Sequence, residues 1–455
     1  MEEAPFAAAA HTLADAPDAK TPPLAAPPAE TLLADTPGAT QGTTPPLTGA
    51  AARESRPAHW LRLFLDRGAI FALITVAAGL RAFRVGDCGG TLIGDEVWYV
   101  QAARVIAGVP VLMHHLPAEA KSHLDPNSEH APLAKAIIAA MIERMGDREI
   151  AWRIPSVILG TLGVWLIYQI AMALGGKGAE RPALYAAFIV TFENLFLVHG
   201  RIATLDIYLM TTLLLATWVY VLGYLEVAAV LFAVSCLCKA NGVLGLGAVL
   251  LYEALMARDR WRHPNFRAIG RRAVVLGIFV AAFLLGLGAL DCFFTEYRSP
   301  FAHLAHMRQY HQGFKHVGKP SGFESTPLDW WLNAGAFDYY SLWSPKKNLL
   351  YKAAINFYVL AAAPLALAFA VRKAWNERSP LATFAVASLF ANFAPIFVAW
   401  AVFSRTSYIY YMLPIVPAFA WALAVAAYAV PRSMRWAFAA MVLYAFAFSF
   451  PVRLF

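Results

Sequence analysis

The sequence predicts an all-α polytopic membrane protein, and three observations lead to that fold class. Of 455 residues, 59% are hydrophobic and only 15% charged, against roughly 25% charged in ordinary soluble domains. Apolar runs of near-spanning length recur from about residue 67 to the C-terminus. Lys and Arg gather in alternate connections between those runs. In such a chain the formal charge of +8 speaks to the sides of the bilayer. No nucleic-acid partner is expected.

The first 57 residues stand apart, holding ten of the 28 prolines. Up to Ala50 they carry six acidic residues against one Lys. Such a segment buries too little apolar surface to offset its ordering entropy, so residues 1–60 are expected to be a disordered cytoplasmic tail. It lacks the basic start and apolar core of a signal peptide.

A run near 20 residues crosses a hydrocarbon core of roughly 30 Å. Eleven are read, at about 67–85, 154–174, 182–199, 203–222, 224–238, 241–256, 273–291, 351–371, 380–402, 408–429 and 435–452. The connection 257–272 carries six Arg and one Asp, and by alternation Lys177, Arg181, the "RKAWNER" run and "PRSMR" share its side. Short basic connections face the cytoplasm. The N-terminus is therefore read as cytoplasmic and the C-terminus as external, with 86–153 and 292–350 as two long external connections.

The first of these contains "IGDEVWYVQAAR", in which Asp95 and Glu96 open an amphipathic segment. A second amphipathic stretch, "SEHAPLAKAIIAAMIERMG", follows. Two such helices between spans read as segments lying flat at the membrane surface, and simple packing accounts for them equally well. "FENLFLVHGRIATLDIYLM" sets Arg201 and Asp206 at the next external turn, where a mutual ion pair or a functional role both fit. The second external connection holds His303, His306, His311 and His316, followed by Trp330 and Trp331. These imidazoles come without Cys or firm carboxylate spacing, so neither metal nor cofactor is expected. Cys236 and Cys238 read as small packing residues. Cys88 and Cys292 both fall at external membrane ends, where a bridge is open chemically but not fixed by sequence.

Six stretches carry a resemblance, in family order: "GDE", "HAPLAK", "WRIPSVILG", "ENLFLVHGRIATLD", the "MRQYHQGFKH…FESTPLDWWL" loop and "YIYYMLPIVPAFA". From about Leu61 onward the chain resembles the protein O-mannosyltransferases, GT-C glycosyltransferases that use polyprenyl- or dolichyl-phosphate mannose. It departs from them at His130-Ala131-Pro132-Leu133, where the family usually has His-Pro-Pro-Leu, and at "STPLDWWL", where Trp-Pro is usual. The 59 residues of 292–350 leave no room for a β-trefoil domain, so the resemblance is to a bacterial or archaeal-type member.

The resemblance implies a GT-C architecture over 61–455 and mannosyl transfer, with inversion, to Ser or Thr hydroxyls of proteins at the outer membrane face. It implies Asp95 as the catalytic carboxylate, which takes the acceptor proton, and Glu96 as a positioning acid. It implies Arg153 at the lipid phosphate through forked, charge-assisted bonds, with Lys135 and His130 shaping that site. Arg201, Asp206 and His311 would support it. The implied partners are the lipid-phosphate mannose, an acceptor protein, membrane lipids and a second copy or related chain in an oligomer. Two other readings remain at this stage: transfer of a lipid-phosphate sugar to a lipid or glycan, and a transporter or flippase. No inverted repeat supports the latter.

Overall fold

Helix α1 (Arg56–Ala82) ends where Arg201, from a distant turn, donates to the carbonyls of Leu80, Arg81 (3.1 Å) and Phe83 (2.8 Å). The last carbonyls of a helix have no partner of their own, and a guanidinium at that end satisfies them and complements the helix dipole. This computed structural model describes residues 56–111, 121–260, 266–313, 315, 323–343 and 348–453. The tail through residue 55 and His316 lie outside them.

Two helices follow α1 in the first long connection, α2 (Glu96–Ile106) and α3 (Leu133–Met145). Their apolar faces are not left for a membrane surface. Val100, Ala103 and Ile106 of α2 and Ala134, Ile138 and Ile142 of α3 join the main core, with α3 packed on α4 (Glu149–Gly175). The next apolar run is broken into α5 (Glu180–Thr191) and α6 (Asn194–His199). Glu193 makes the break, since its carboxylate caps α6 by accepting from the N–H groups of Leu195 (3.0 Å) and Phe196 (2.7 Å). Then come α7 (Leu205–Val221), α8 (Leu225–Cys238), α9 (Val243–Met256) and α10 (Phe266–Phe294).

The second long connection holds α11 (Pro300–Gly313) and a hairpin of β1 (Phe337–Trp343) and β2 (Asn348–Ala353). The hairpin pairs antiparallel from Phe337 opposite Ala353 to Trp343 opposite Asn348. A short β3 (Val452–Arg453) completes the order β1-β2-β3, with Leu349 opposite Val452. This small sheet stands beside the expected helices. It also moves the eighth span, because residues 351–353 belong to β2 and α12 (Phe357–Asn376) starts later. The chain ends with α13 (Pro380–Phe403), a 3₁₀ stretch Ile409–Ile415, α14 (Val416–Ala427) and α15 (Arg432–Ser449).

The protein is a multi-pass membrane protein. Among the described residues five segments are both long and apolar enough to cross a bilayer, and four shorter apolar helices accompany them. Nine of the eleven expected runs fall mostly on these nine segments, whereas 182–199, broken at Glu193, and 435–452, on α15, are not among them. Burial within the protein ranges from 72% for Ile409–Ala427 to 11% for Ile269–Phe294, so α10 turns most of its apolar surface outward, as a lipid-facing helix does. At the centre, Gly160 lets α4 approach the turn after α6: a Cβ there would meet Gly200 Cα at 2.8 Å.

Candidate active site

The connections read as external converge on a cavity of about 630 Å³. Its walls come from the turn before α2, the loop before α3, the α8–α9 turn, α11, β1 and the segment after α13. Asp95 lies in it, and Lys239 and Arg405 are the cations on its walls among the described residues.

Asp95 and Glu96 part company at the start of α2. Gly94 makes the turn possible, with φ of 54° and Tyr339 Cδ1 only 2.6 Å from where a Cβ would stand. Asp95 occupies the N-cap position, yet its side chain caps nothing. Its carboxylate has no hydrogen bond among the described residues, and the withdrawal from water pushes its pKa up to about 6, against the opposing pull of Lys239. The carboxylate is held out of the bonds that would spend it.

Glu96 points the other way, into the interior. It accepts from the N–H groups of Ile93 (2.8 Å) and Ala203 (2.7 Å) and takes a forked pair of bonds from Arg153, at 2.8 and 2.7 Å. Arg153 is fully buried and also donates to Val85 O, Glu149 Oε2 and Thr91 O, each at 2.9–3.0 Å. All five N–H groups of its guanidinium are thereby engaged. The expected phosphate role of Arg153 therefore does not fit: it lines no part of the cavity and has no donor left. Its work, with Glu96 and Glu149, is to clamp the segment that presents Asp95.

Lys135 is corrected in the same way. It is fully buried, paired with Asp125 at 2.5 Å, and donates to the carbonyls of Asn127 and His130 (3.0 Å). It fastens the cavity-lining loop from behind. His130 does reach the cavity, 5.4 Å from the His311 ring, and its Nδ1 is sheltered without a partner among the described residues. Burial, reinforced by Lys239 and Lys135, holds its pKa well below the usual imidazole range, so it is neutral. His311 receives Arg405 twice, at Nδ1 (3.2 Å) and at its carbonyl (2.8 Å), and burial with Arg405 lowers its pKa to about 4.

Arg201 and Asp206 do not pair. Arg201 spends its donors on the end of α1 and on the Tyr351 hydroxyl, whereas Asp206 Oδ1 lies 2.7 Å from Lys239 Nζ. Burial disfavours the Lys239 ammonium, but Asp206 and Tyr411 more than offset it, so the group stays charged. Cys88 and Cys292 are free thiols, the first buried and the second exposed.

Lys239 and Arg405 escaped the sequence reading. In the sequence each stands at one end of an apolar run, where a charge is usually paired or functional. That signal was present in "CLCKANG" and "FSRTSYIYY".

Residues 129–285 match the family model described as dolichyl-phosphate-mannose-protein mannosyltransferase. A polyprenol-phosphate-mannose–protein mannosyltransferase of Corynebacterium glutamicum is 30% identical over 152 residues, 33% of this chain. The chain thus matches 28% of that relative's length. Among solved structures, the S. cerevisiae protein O-mannosyltransferase Pmt1–Pmt2 complex bound to the sugar donor superposes with a TM-score of 0.62 at 12% identity, covering 85% of this chain and 88% of that one. ArnT from Cupriavidus metallidurans bound to undecaprenyl phosphate gives 0.54 at 17%, covering 86% and 63%. The apo oligosaccharyltransferase of Archaeoglobus fulgidus gives 0.55 at 12%, covering 86% and 55%. At these identities the likeness is one of fold, and the fold is GT-C.

Proposed function

We propose that this protein transfers mannose from a polyprenyl- or dolichyl-phosphate donor to Ser or Thr hydroxyls of proteins at the outer membrane face. The observation that carries the reading is the meeting of an unspent carboxylate, Asp95, with two cations, Lys239 and Arg405, in one cavity. The family match and the Corynebacterium relative support the sugar and the acceptor class.

The acceptor hydroxyl attacks the anomeric carbon while Asp95 takes its proton. The bond between that carbon and the phosphate oxygen breaks, and the lipid monophosphate leaves with the electron pair. Lys239 and Arg405 meet the charge that grows on it. Attack opposite the leaving phosphate inverts the anomeric centre. Neutral His130 and His311 add no further positive charge to the wall, and His311 fixes the Arg405 fork. A lipid-phosphate donor carries its own good leaving group, so the step needs no metal.

Membranes with and without the protein, given radiolabelled polyprenyl-phosphate mannose, test this directly. Label in protein, released as an α- or β-linked sugar of configuration opposite to the donor, is the expected result. Label in lipid or glycan alone would move the acceptor, and absence of protein-dependent label would overturn the reading.

A further inference from the structure

A second polar cluster lies beside the cavity, at the junction of α10 and α11. His303 is fully buried, with Nδ1 2.6 Å from Asp291 Oδ1 and Nε2 2.8 Å from the carbonyl of Ser128. The ring is thus held from both sides, with Asp291 at Nδ1 and the Ser128 carbonyl, an acceptor only, at Nε2. The Tyr297 ring stacks on the imidazole at 4.4 Å and 13°, and its hydroxyl lies 3.2 Å from Ser128 Oγ. Close by, Asp125 N–H donates to Phe294 O at 2.6 Å. The α10–α11 corner therefore grips the loop 125–130 at three points.

That loop is a wall of the cavity, to which it contributes Asn127, Glu129 and His130. Lys135 holds it from inside, through Asp125, Asn127 and His130. Nothing in the chemistry of transfer uses His303 or Asp291, yet both are buried where a polar pair costs free energy unless its bonds are made.

We propose that His303 is a positioning residue. Oriented by Asp291, it latches the carbonyl of Ser128 and so sets where the loop 125–130 stands against the bound substrates. This rests on the transfer reading above for its kinetic consequence only. The mechanical part stands by itself, because the bonds are within the protein. His303→Gln would place an amide oxygen against the Asp291 carboxylate or else turn its amide away from Ser128. His303→Gln combined with Asp291→Asn restores a neutral chain, in which the introduced side-chain amides bond each other and Ser128 O.

The test is hydrogen–deuterium exchange of the full chain in nanodiscs, read in peptides covering 121–131, beside transfer kinetics. Loss of the His303–Ser128 bond should raise exchange in that loop about tenfold in His303→Gln, with α12–α14 unchanged. The double variant should return it toward the parent. Transfer should show a raised KM with kcat nearly kept, again recovered in the double variant. Tyr297→Phe, a milder change, should loosen the loop less. Unchanged loop exchange in His303→Gln would overturn the latch, as would a double variant as loose as the single one. Looser exchange with unaltered kinetics would refute the positioning role and leave the transfer reading intact. An inactive parent protein would refute the transfer reading and, with it, the kinetic role.

Discussion

Lys239 Nζ stands 2.7 Å from Asp206 Oδ1, which joins the α8–α9 turn to the first turn of α7. Both side chains are largely sheltered, and Asp206 Oδ2 has no other partner among the described residues. The pair thus fixes the Lys239 ammonium in the cavity wall through a single bond to Asp206. Asp206→Asn should leave an ammonium with weakened support, lowering stability by about 3 kcal/mol at most and raising donor KM about tenfold. Thermal unfolding and donor kinetics measure both. An unaltered donor KM would remove the pair from the donor site.

Arg153 behaves differently in this account. With five bonds inside the protein, Arg153→Lys strips support from both Glu96 and Glu149. We expect a stability loss of about 3–5 kcal/mol, as for breaking other buried pairs. The protein that still folds should bind donor within about twofold of the parent. A well-folded variant with a donor defect alone would restore the phosphate role.

Gly94 sets the aim of Asp95. Gly94→Ala faces both a φ of 54° and a Cβ 2.6 Å from Tyr339 Cδ1. The backbone term alone costs about 1 kcal/mol or more. Tyr339 is tied by its hydroxyl to His199 at 3.1 Å, so the turn yields first. The expected result is a fall in kcat of about tenfold or more with a smaller change in KM. Adding Tyr339→Ala relieves the clash but not the strained φ, so recovery should be partial.

The pH dependence follows from Asp95. In the proposed transfer the unprotonated carboxylate acts as the base, and burial lifts its pKa from 3.8 to about 6. The rate at low donor should therefore rise as pH climbs through about 6 and then level. Stability runs the opposite way. A carboxyl raised in the folded state favours folding most when protonated, so its charge weighs against the fold increasingly from pH 4 to above 6. Asp95→Asn should gain thermal stability over the parent at pH 8 and gain little at pH 4.

Much of this was legible in the sequence, because membrane burial writes itself in long apolar runs and basic connections. Asp95 was legible too, as one of an acid pair where a long connection between apolar runs begins. What sequence could not divide was the pair itself. Asp95 faces the cavity and Glu96 the interior only because Arg153 and the N–H of Ala203, from other elements, claim Glu96. The same long-range bonding hid the fate of Arg201, whose partners are chiefly backbone carbonyls 118 or more residues away, with the Tyr351 hydroxyl beside them. Carbonyls leave no trace in composition. The β hairpin was missed because "FDYYSLW" is short and lay among loop residues, where span counting does not look.

One measurement bears most directly on the central claim, that Asp95 is the base of a mannosyl transfer carried out in this cavity. Donor affinity and single-turnover transfer from polyprenyl-phosphate mannose would be followed side by side in the parent and in Asp95→Asn. The account predicts donor affinity kept within about threefold and transfer lowered about 100-fold or more. Transfer at the parent rate, in a variant that binds donor normally, would contradict it.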